Sequence, residues 1–459
     1  MNALPFARSE ADTRLASVPP MGWNSWDSYG TTVTEGEVVA NAEFIRDHLL
    51  QAGWNTVVVD IAWYDPDARA HGYNDRPQTT LDEWGRQLPA PGRFPSAADG
   101  SGFTPLVDAV HAMGLRFGLH VMRGIPRLAV ERNLPVLGTS WTAAEIADRE
   151  HVCTWNSDNF GLDHTHPGAQ AYYDSQVAQF AQWGVDFIKA DDMLAPYHSA
   201  EIEAYSRAIE RSGRPIVLSL SPGTKLSTRH RPHLAKHAQM WRISDDLWDR
   251  WGDIHAQFAR LARWAPLQSA GGWADADMLP LGRIGLRAER GEPRSSLLTA
   301  DEQKTMLTLW AMARSPLMVG GDLPTSDADT IALLANPALQ RVLGDARDSA
   351  EIVREPADDG ELIVWAARSA ASGGHYVALF WTGDGERDVV VPVASVVGAG
   401  IAGQPDCAVL LDGAGWRVDD LWNAGAGIRQ LPTDGSIAAT VPSHGAVWFA
   451  LEPARPTNG

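Results

Sequence analysis

From residue 20 to about 325 the chain alternates short apolar runs with longer stretches in which apolar residues recur every three or four positions. The short runs predict strands at Met21–Trp26, Thr56–Trp63, Arg116–Met122, Asp186–Asp191, Ile216–Ser221, Met240–Asp246 and Pro316–Gly320, with a weaker one around Ser269–Trp273. Several are apolar almost without interruption (VVVDIAW, FIKA, IVLSL), as suits strands covered on both faces. The longer stretches predict amphipathic helices at Glu35–Ala52, Thr104–Met113, Gly168–Trp183, His198–Arg211, Asp253–Trp264 and Leu298–Ala313. Strand and helix repeated eight times in this way predict an α/β fold, a (β/α)8 TIM barrel. After a last helical stretch near Asp329–Leu343 the pattern shortens to β-rich segments at Leu362–Ala366, His375–Phe380, Val389–Val393, Ala408–Leu411 and Val447–Leu451. Gly, Asp and Asn separate them, which predicts an antiparallel β-sandwich. The expected division is a barrel over residues 1–345 and a C-terminal β-sandwich domain over 346–459.

Composition narrows the function. With 38 Lys and Arg against 57 Asp and Glu, the 459-residue chain carries a net charge of −19. A nucleic acid or an anionic membrane demands a basic surface, so neither is expected as a partner. The first twenty residues are charged and lack an apolar core, and no apolar run reaches the ~18 residues of a membrane span, so a cytoplasmic protein is expected. Cys153 and Cys407 are the only cysteines and have no zinc-site spacing, which leaves two reduced thiols. Trp is unusually frequent, 19 residues against 11 Phe and 8 Tyr. Indole faces stack on sugars, but they also fill large cores.

In a (β/α)8 barrel the active site is built at the C-terminal ends of the strands. Charged side chains ending otherwise apolar strands are Asp60, Lys189, Asp191, Asp192, Arg242, Asp245 and Asp246. Residues two apart on a strand share a face, which groups Lys189 with Asp191 and Arg242 with Asp246, sets Asp245 opposite, and leaves Asp192 on the other face or on the loop. Two carboxylates in one pocket are the minimal equipment for glycoside hydrolysis, one attacking the anomeric carbon and one protonating the leaving oxygen. Lys189 would hold Asp191 ionised, as a nucleophile requires. Arg242 would bind a sugar hydroxyl or orient a carboxylate. The alternative is that these charges only pair with one another around the barrel rim.

Six segments carry a family resemblance: Pro20–Trp26 (PMGWNSW), Asp60–Trp63 (DIAW), Ile188–Asp191 (IKAD), Arg242–Asp246 (RISDD), Gly271–Leu279 (GGWADADML) and Leu298–Leu323 (LTADEQKTMLTLWAMARSPLMVGGDL). In this order they resemble glycoside hydrolase family 27, the retaining α-galactosidases and α-N-acetylgalactosaminidases. The resemblance spans roughly residues 18–345 and implies a β-sandwich tail. It implies Asp191 as nucleophile, in the motif Lys189-Ala190-Asp191, and Asp246, four residues beyond Arg242, as acid/base. It implies Trp26 as the stacking platform for the sugar, and neither a metal nor another cofactor. If configuration is retained, the two carboxyls should lie about 5–5.5 Å apart.

Three strand ends depart from the family pattern. Galactose-specific members carry two adjacent Asp after the second strand, binding O4 and O6; here the pair is Asp60–Ile61. After the fifth strand the segment Leu218–Gly223 (LSLSPG) has Pro222 where the family places Glu, and Ser221 joins the expected substrate contacts. The third strand ends His120–Gly124 (HVMRG), where Arg123 replaces an acid. His120 and Arg123 are therefore candidate substrate contacts. For His120 a satisfied barrel-interior position stays open, and for Arg123 a pairing with Asp60 or Asp191. A site that loses a hydrogen-bond partner for a hydroxyl discriminates strongly against the sugar bearing it. The expected function is a retaining exo-acting glycoside hydrolase of the α-galactosidase type, its specificity shifted toward an α-glucoside or a pentopyranoside. The substrate would be a small oligosaccharide or glycoside. A non-hydrolytic carbohydrate-binding protein and a transglycosylase on the same scaffold are the alternatives. Asp275 and Asp277 read as a structural element of strand seven, Trp241 and Trp273 as core, and Trp155, Asn156 and Asp158 as a loop before strand four.

Overall fold

The structure, a computed structural model, describes residues 15–398, 415–423 and 429–454. Cys407 and the strand expected at Ala408–Leu411 lie outside the described residues. The chain forms two compact units that alternate along the sequence. One comprises the residues up to Leu247, Ser269–Ser296 and Leu317–Ile331; the other comprises Trp248–Gln268, Leu297–Pro316 and the residues from Ala332 onward.

The first unit holds eight parallel strands: β1 (Met21–Asn24), β2 (Thr56–Val59), β3 (Arg116–Met122), β4 (Phe187–Asp191), β5 (Val217–Leu220), β6 (Met240–Arg242), β7 (Trp273–Asp275) and β8 (Leu317–Val319). They hydrogen-bond in the order β7-β6-β5-β4-β3-β2-β1-β8. Leu279, just beyond β7, closes the ring with a parallel bridge to Val319, its N–H donating to Met318 O at 2.8 Å and its O accepting from Gly320 N–H at 3.0 Å. The fold is a TIM barrel. Its interior is filled by Val58, Ile61, Met122, Phe187, Val217, Met240, Met278 and Met318, bulky apolar side chains pointing inward from successive strands. Register places His120 beside Lys189, and Lys189 beside Ser219.

The helices of this unit start where side chains satisfy the first free N–H groups. In α1 (Glu35–Phe44) Thr34 and Glu37 form a capping box, and in α2 (Pro167–Trp183) His166 Nδ1 accepts the Gly168 N–H at 3.0 Å. Helix α3 (Ser199–Ser212) and the short α4 (Arg231–His237) follow β4 and β5. The helix expected over Glu35–Ala52 is regular only to Phe44, and continues as a π turn over Ile45–Leu49 and a 3-10 turn over Leu50–Ala52. The stretch expected at Asp329–Leu343 divides into Ala328–Leu334 and Pro337–Asp345. Pro337 has no N–H to continue a helix, and Asn336 Oδ1 caps the new one at Ala338 N–H, 2.9 Å.

The second unit packs α5 (Trp251–Trp264), α6 (Ala300–Ala313) and α7 (Pro337–Asp345) with an antiparallel β domain. Its strands are β9 (Ala346–Ala357), β10 (Gly360–Ser369), β11 (His375–Trp381), β12 (Arg387–Pro392), β13 (Trp416–Asp420), β14 (Arg429–Leu431), β15 (Ser436–Val441) and β16 (Ala446–Pro453). A six-stranded sheet runs β9-β10-β11-β16-β13-β14, and β12 pairs with β15. Between them lie Val364, Val377, Trp381, Val391, Trp416, Ile437 and Phe449. Helix α6 is buried from Thr305 to Ala313. Trp422 Nε1 donates to Thr308 Oγ1 at 2.8 Å, Trp448 Nε1 to Met312 Sδ at 3.2 Å and Thr305 Oγ1 to His444 O at 2.7 Å. Among the described residues no helix is long and apolar enough to cross a membrane.

Candidate active site

The C-terminal ends of the barrel strands surround a cavity of about 950 Å3. Trp26, Asp60, Ile61, His120, Lys189, Asp191, Asp245 and Asp246 line it, with Tyr73, Trp155, Pro222, Met278 and Glu289 from the loops.

Asp60 and Lys189 form its most connected pair. Lys189 Nζ and Asn24 Nδ2 both donate to Asp60 Oδ2 at 2.8 Å, and the Ile61 N–H donates to Oδ1 at 2.8 Å. Burial opposes the Asp60 charge, but Lys189 and His120 outweigh it and hold the carboxyl below the usual range. Burial also opposes the Lys189 charge, and Asp60 and Asp191 outweigh that, lifting the ammonium above its ordinary value. Both groups are ionised throughout the neutral range.

Asp191 is set by three elements. It ends β4, His120 Nε2 from β3 lies 3.0 Å from Oδ2, and the Asp192 N–H donates to Oδ1 at 2.8 Å. Burial would raise the Asp191 carboxyl, but His120 and then Lys189 override it and hold the group well below the usual carboxylate range. His120 is 1% exposed, and its Nδ1 has no hydrogen-bond partner among the described residues. The imidazole therefore presents Nε2–H to Asp191 as its one bonded edge. Asp192 adopts a left-handed φ of 59°, which turns its side chain away from the cavity.

That turn decides the place of Arg123. Its Nε lies 2.7 Å from Asp192 Oδ2, and its guanidinium also donates to Asp192 O and His151 O at 3.1 Å. The pairing expected with Asp60 or Asp191 is thus replaced by one with Asp192, and Arg123 is not among the cavity-lining residues. Burial pushes the Asp192 carboxyl up to about 6 despite Arg123. Ser221 is 1% exposed and likewise does not line the cavity.

Arg242 sits beneath the opposite wall, 3% exposed and outside the lining. Its NH1 lies 2.8 Å from Asp277 Oδ1 and its NH2 3.1 Å from Asp246 Oδ1, so one guanidinium joins the two carboxylates. Asp277 is held in turn by the Leu247 N–H at 2.6 Å, while its own N–H donates to Asp275 Oδ1 at 2.9 Å. Burial raises the Asp277 carboxyl, with Arg242 opposing. Face alternation does not extend to Asp245 and Asp246, because β6 ends at Arg242; beyond it the chain leaves the sheet and both carboxylates line the cavity. The same holds after β2, which ends at Val59 and leaves Asp60 and Ile61 both facing in.

Trp26 opens a short helical turn, its N–H bonded to Asn24 Oδ1 at 2.9 Å, and Tyr73 stacks against it with centroids 5.8 Å apart. Tyr73 and Glu289 come from loops without hydrophobic periodicity, so no pattern in the sequence singled them out. Trp155 lines the cavity and is 40% exposed. Asn156 and Asp158 are buried, Asp158 accepting the Tyr64 hydroxyl. Trp241 and Trp273 are buried core.

The chain is similar to known glycosidases in sequence and in structure. Residues 158–345 match the family model described as alpha galactosidase A. An α-galactosidase from Cyamopsis tetragonoloba is 24% identical over 448 residues, covering 96% of this chain and 88% of the relative. A family 27 β-L-arabinopyranosidase from Geobacillus stearothermophilus, solved in complex with arabinose, is 41% identical with a TM-score of 0.89, covering 97% of this chain and all of that one. Its wild-type structure superposes with a TM-score of 0.90 at the same identity, covering 98% of this chain and all of that one. On identity and coverage of that extent, this chain belongs to glycoside hydrolase family 27 and is a glycosidase.

Proposed function

We propose that the chain hydrolyses β-L-arabinopyranosides with net retention of configuration. The observation that carries this reading is Ile61, an apolar side chain 1% exposed that lines the cavity next to the ionised Asp60. An α-D-galactopyranoside and a β-L-arabinopyranoside share the arrangement of substituents from C1 to C4 and differ by the hydroxymethyl group on C5. Asp60 and Lys189 supply a charged acceptor and donor for ring hydroxyls common to both sugars. Ile61 offers a hydroxymethyl group no partner, and desolvating an unpaired hydroxyl costs affinity. The arabinose complex of the Geobacillus β-L-arabinopyranosidase supports the same glycone.

In this reading Asp191 attacks the anomeric carbon, and His120, Lys189 and the Asp192 N–H keep its carboxylate ionised and aimed. Arg242 holds Asp246 by Oδ1 and leaves Oδ2 to protonate the departing glycosidic oxygen. The bond from C1 to that oxygen breaks as the bond from C1 to the Asp191 oxygen forms. In the second step Asp246 takes a proton from water, whose oxygen attacks C1 from the original face and releases Asp191. Trp26 and Tyr73 present flat rings to the sugar.

The test is a panel of 4-nitrophenyl glycosides, with Asp191→Ala as the blank and proton NMR of the first product. The expected result is fastest release from the β-L-arabinopyranoside, with β-L-arabinose appearing before mutarotation. Faster release from the α-D-galactoside or α-D-glucoside overturns the glycone, and an α-anomer formed first overturns retention.

A further inference from the structure

The outer cavity carries a charge pattern unlike the rest of the chain. Against a net charge of −19, the sequence between Glu210 and Asp245 contains no Asp or Glu and seven Lys or Arg. This stretch includes β5, α4 and the loop between them, and Lys225 and Arg229 of that loop line the cavity wall. Neither side chain has an ion-pair or hydrogen-bond partner among the described residues, and both are exposed. The loop is held in place by Gly223: its N–H donates to Ser244 O at 2.9 Å, and a Cβ there would lie 1.8 Å from Arg242 O.

Beside the two cations the wall is flat and aromatic. His230, the chain neighbour of Arg229, stacks on Tyr197 with centroids 3.8 Å apart and planes inclined by 17°. Flat rings of this kind take the apolar face of a pyranose. The other charges of the outer cavity do not neutralise the cations. Glu289 lies 3.9 Å from Arg290, its sequence neighbour, Asp246 is engaged by Arg242, and Asp245 also lines the cavity.

We propose that this wall is the subsite for an acidic aglycone, a uronic acid whose carboxylate is received by Lys225 and Arg229. The inference rests on the arabinopyranosidase reading for the sugar that is transferred, and adds the chemical class of the sugar that leaves. A carboxylate about 4 Å from one solvated cation gains roughly fivefold in affinity, and two cations together about 25-fold. Asp245 opposes this, which sets the expected preference at about tenfold.

The experiment compares kcat/KM for two disaccharides, β-L-arabinopyranosyl-galactose and β-L-arabinopyranosyl-galacturonic acid of the same linkage. Wild-type protein should prefer the acidic one about tenfold at ~0.05 M salt, and the preference should fall toward unity at ~1 M, where the screening length is about 3 Å. In Lys225→Ala/Arg229→Ala the ratio should fall to near one. Because it is internal to each variant, the ratio is insensitive to how much of the variant is active. A wild-type ratio near one, or a preference that survives the double substitution, overturns the inference. If both disaccharides are inert and the aryl panel reports another glycone, the arabinopyranosidase reading fails alone, and the same ratio is read on that glycone.

Discussion

Replacing Ile61 by Asp should move the enzyme toward α-galactosides. Ile61 is 1% exposed and lines the cavity next to Asp60, so in the proposed reading a carboxylate there would meet the C5 substituent of the sugar. A hydrogen bond to a charged acceptor contributes about 1.5–3 kcal/mol, or roughly 10- to 150-fold in the ratio of kcat/KM for α-D-galactoside over β-L-arabinopyranoside. The new charge also repels Asp60. Two carboxylates about 6 Å apart at an effective dielectric of about 20 interact by roughly 3 kcal/mol, which Lys189, 2.8 Å from Asp60, offsets in part. The variant should therefore melt earlier than the parent. Ile61→Asn offers the same acceptor without the charge, and should show a smaller gain in the ratio with a smaller loss of stability. The assay is the pair of 4-nitrophenyl glycosides, with melting followed by circular dichroism. A ratio unchanged in both variants, each still folded, would refute the idea that Ile61 selects the glycone.

Other consequences follow from the charges. Lys189→Met leaves Asp60 and Asp191 buried without their shared cation, and breaking a buried pair costs about 3–5 kcal/mol; urea unfolding at pH 7 should show that loss, and it should shrink at pH 4 as the carboxyls take up protons. Burial lifts the Asp158 carboxyl to about 6, above its value in the unfolded chain. The folded state therefore binds the proton more tightly, and its stability falls as pH rises from about 4 to 6. Asp158→Asn, which keeps an acceptor for Tyr64, removes that dependence, so the variant should gain on the parent by on the order of 3 kcal/mol between pH 4 and pH 7. A constant difference across that range would refute the assignment.

Much of the barrel was legible because strands covered on both faces become short apolar runs and helices covered on one face carry 3.6-residue stripes. Lys189 and Asp191 were legible because they lie on a regular strand, where parity is enforced to the last residue. Parity misled at Asp245, because β6 stops at Arg242 and a loop has no alternation to obey. Arg123 was misplaced because its partner depends on the left-handed turn at Asp192, which no sequence period encodes. Tyr73 and Glu289 reach the cavity from long loops, whose paths are set by tertiary contacts. The strands at Ala346–Ala357 and Trp416–Asp420 were not anticipated, since charged residues interrupt their apolar pattern, nor was Ser436–Val441 (SIAATV), whose small and polar residues leave only two bulky apolar positions.

The interleaving of the two compact units has a consequence for how this chain can be divided. Their boundary is crossed after Leu247, Gln268, Ser296, Pro316 and Ile331, so neither unit is a contiguous stretch that a protease, a gene fusion or a truncation could release intact. A chain cut before β9 would keep the sequence of α6 while losing the indole nitrogens of Trp422 and Trp448 and the His444 carbonyl to which its side chains are bonded. Inheritance should follow the same constraint: exchanging the sandwich between relatives would require exchanging α5 and α6 with it, although those helices lie far upstream in the gene.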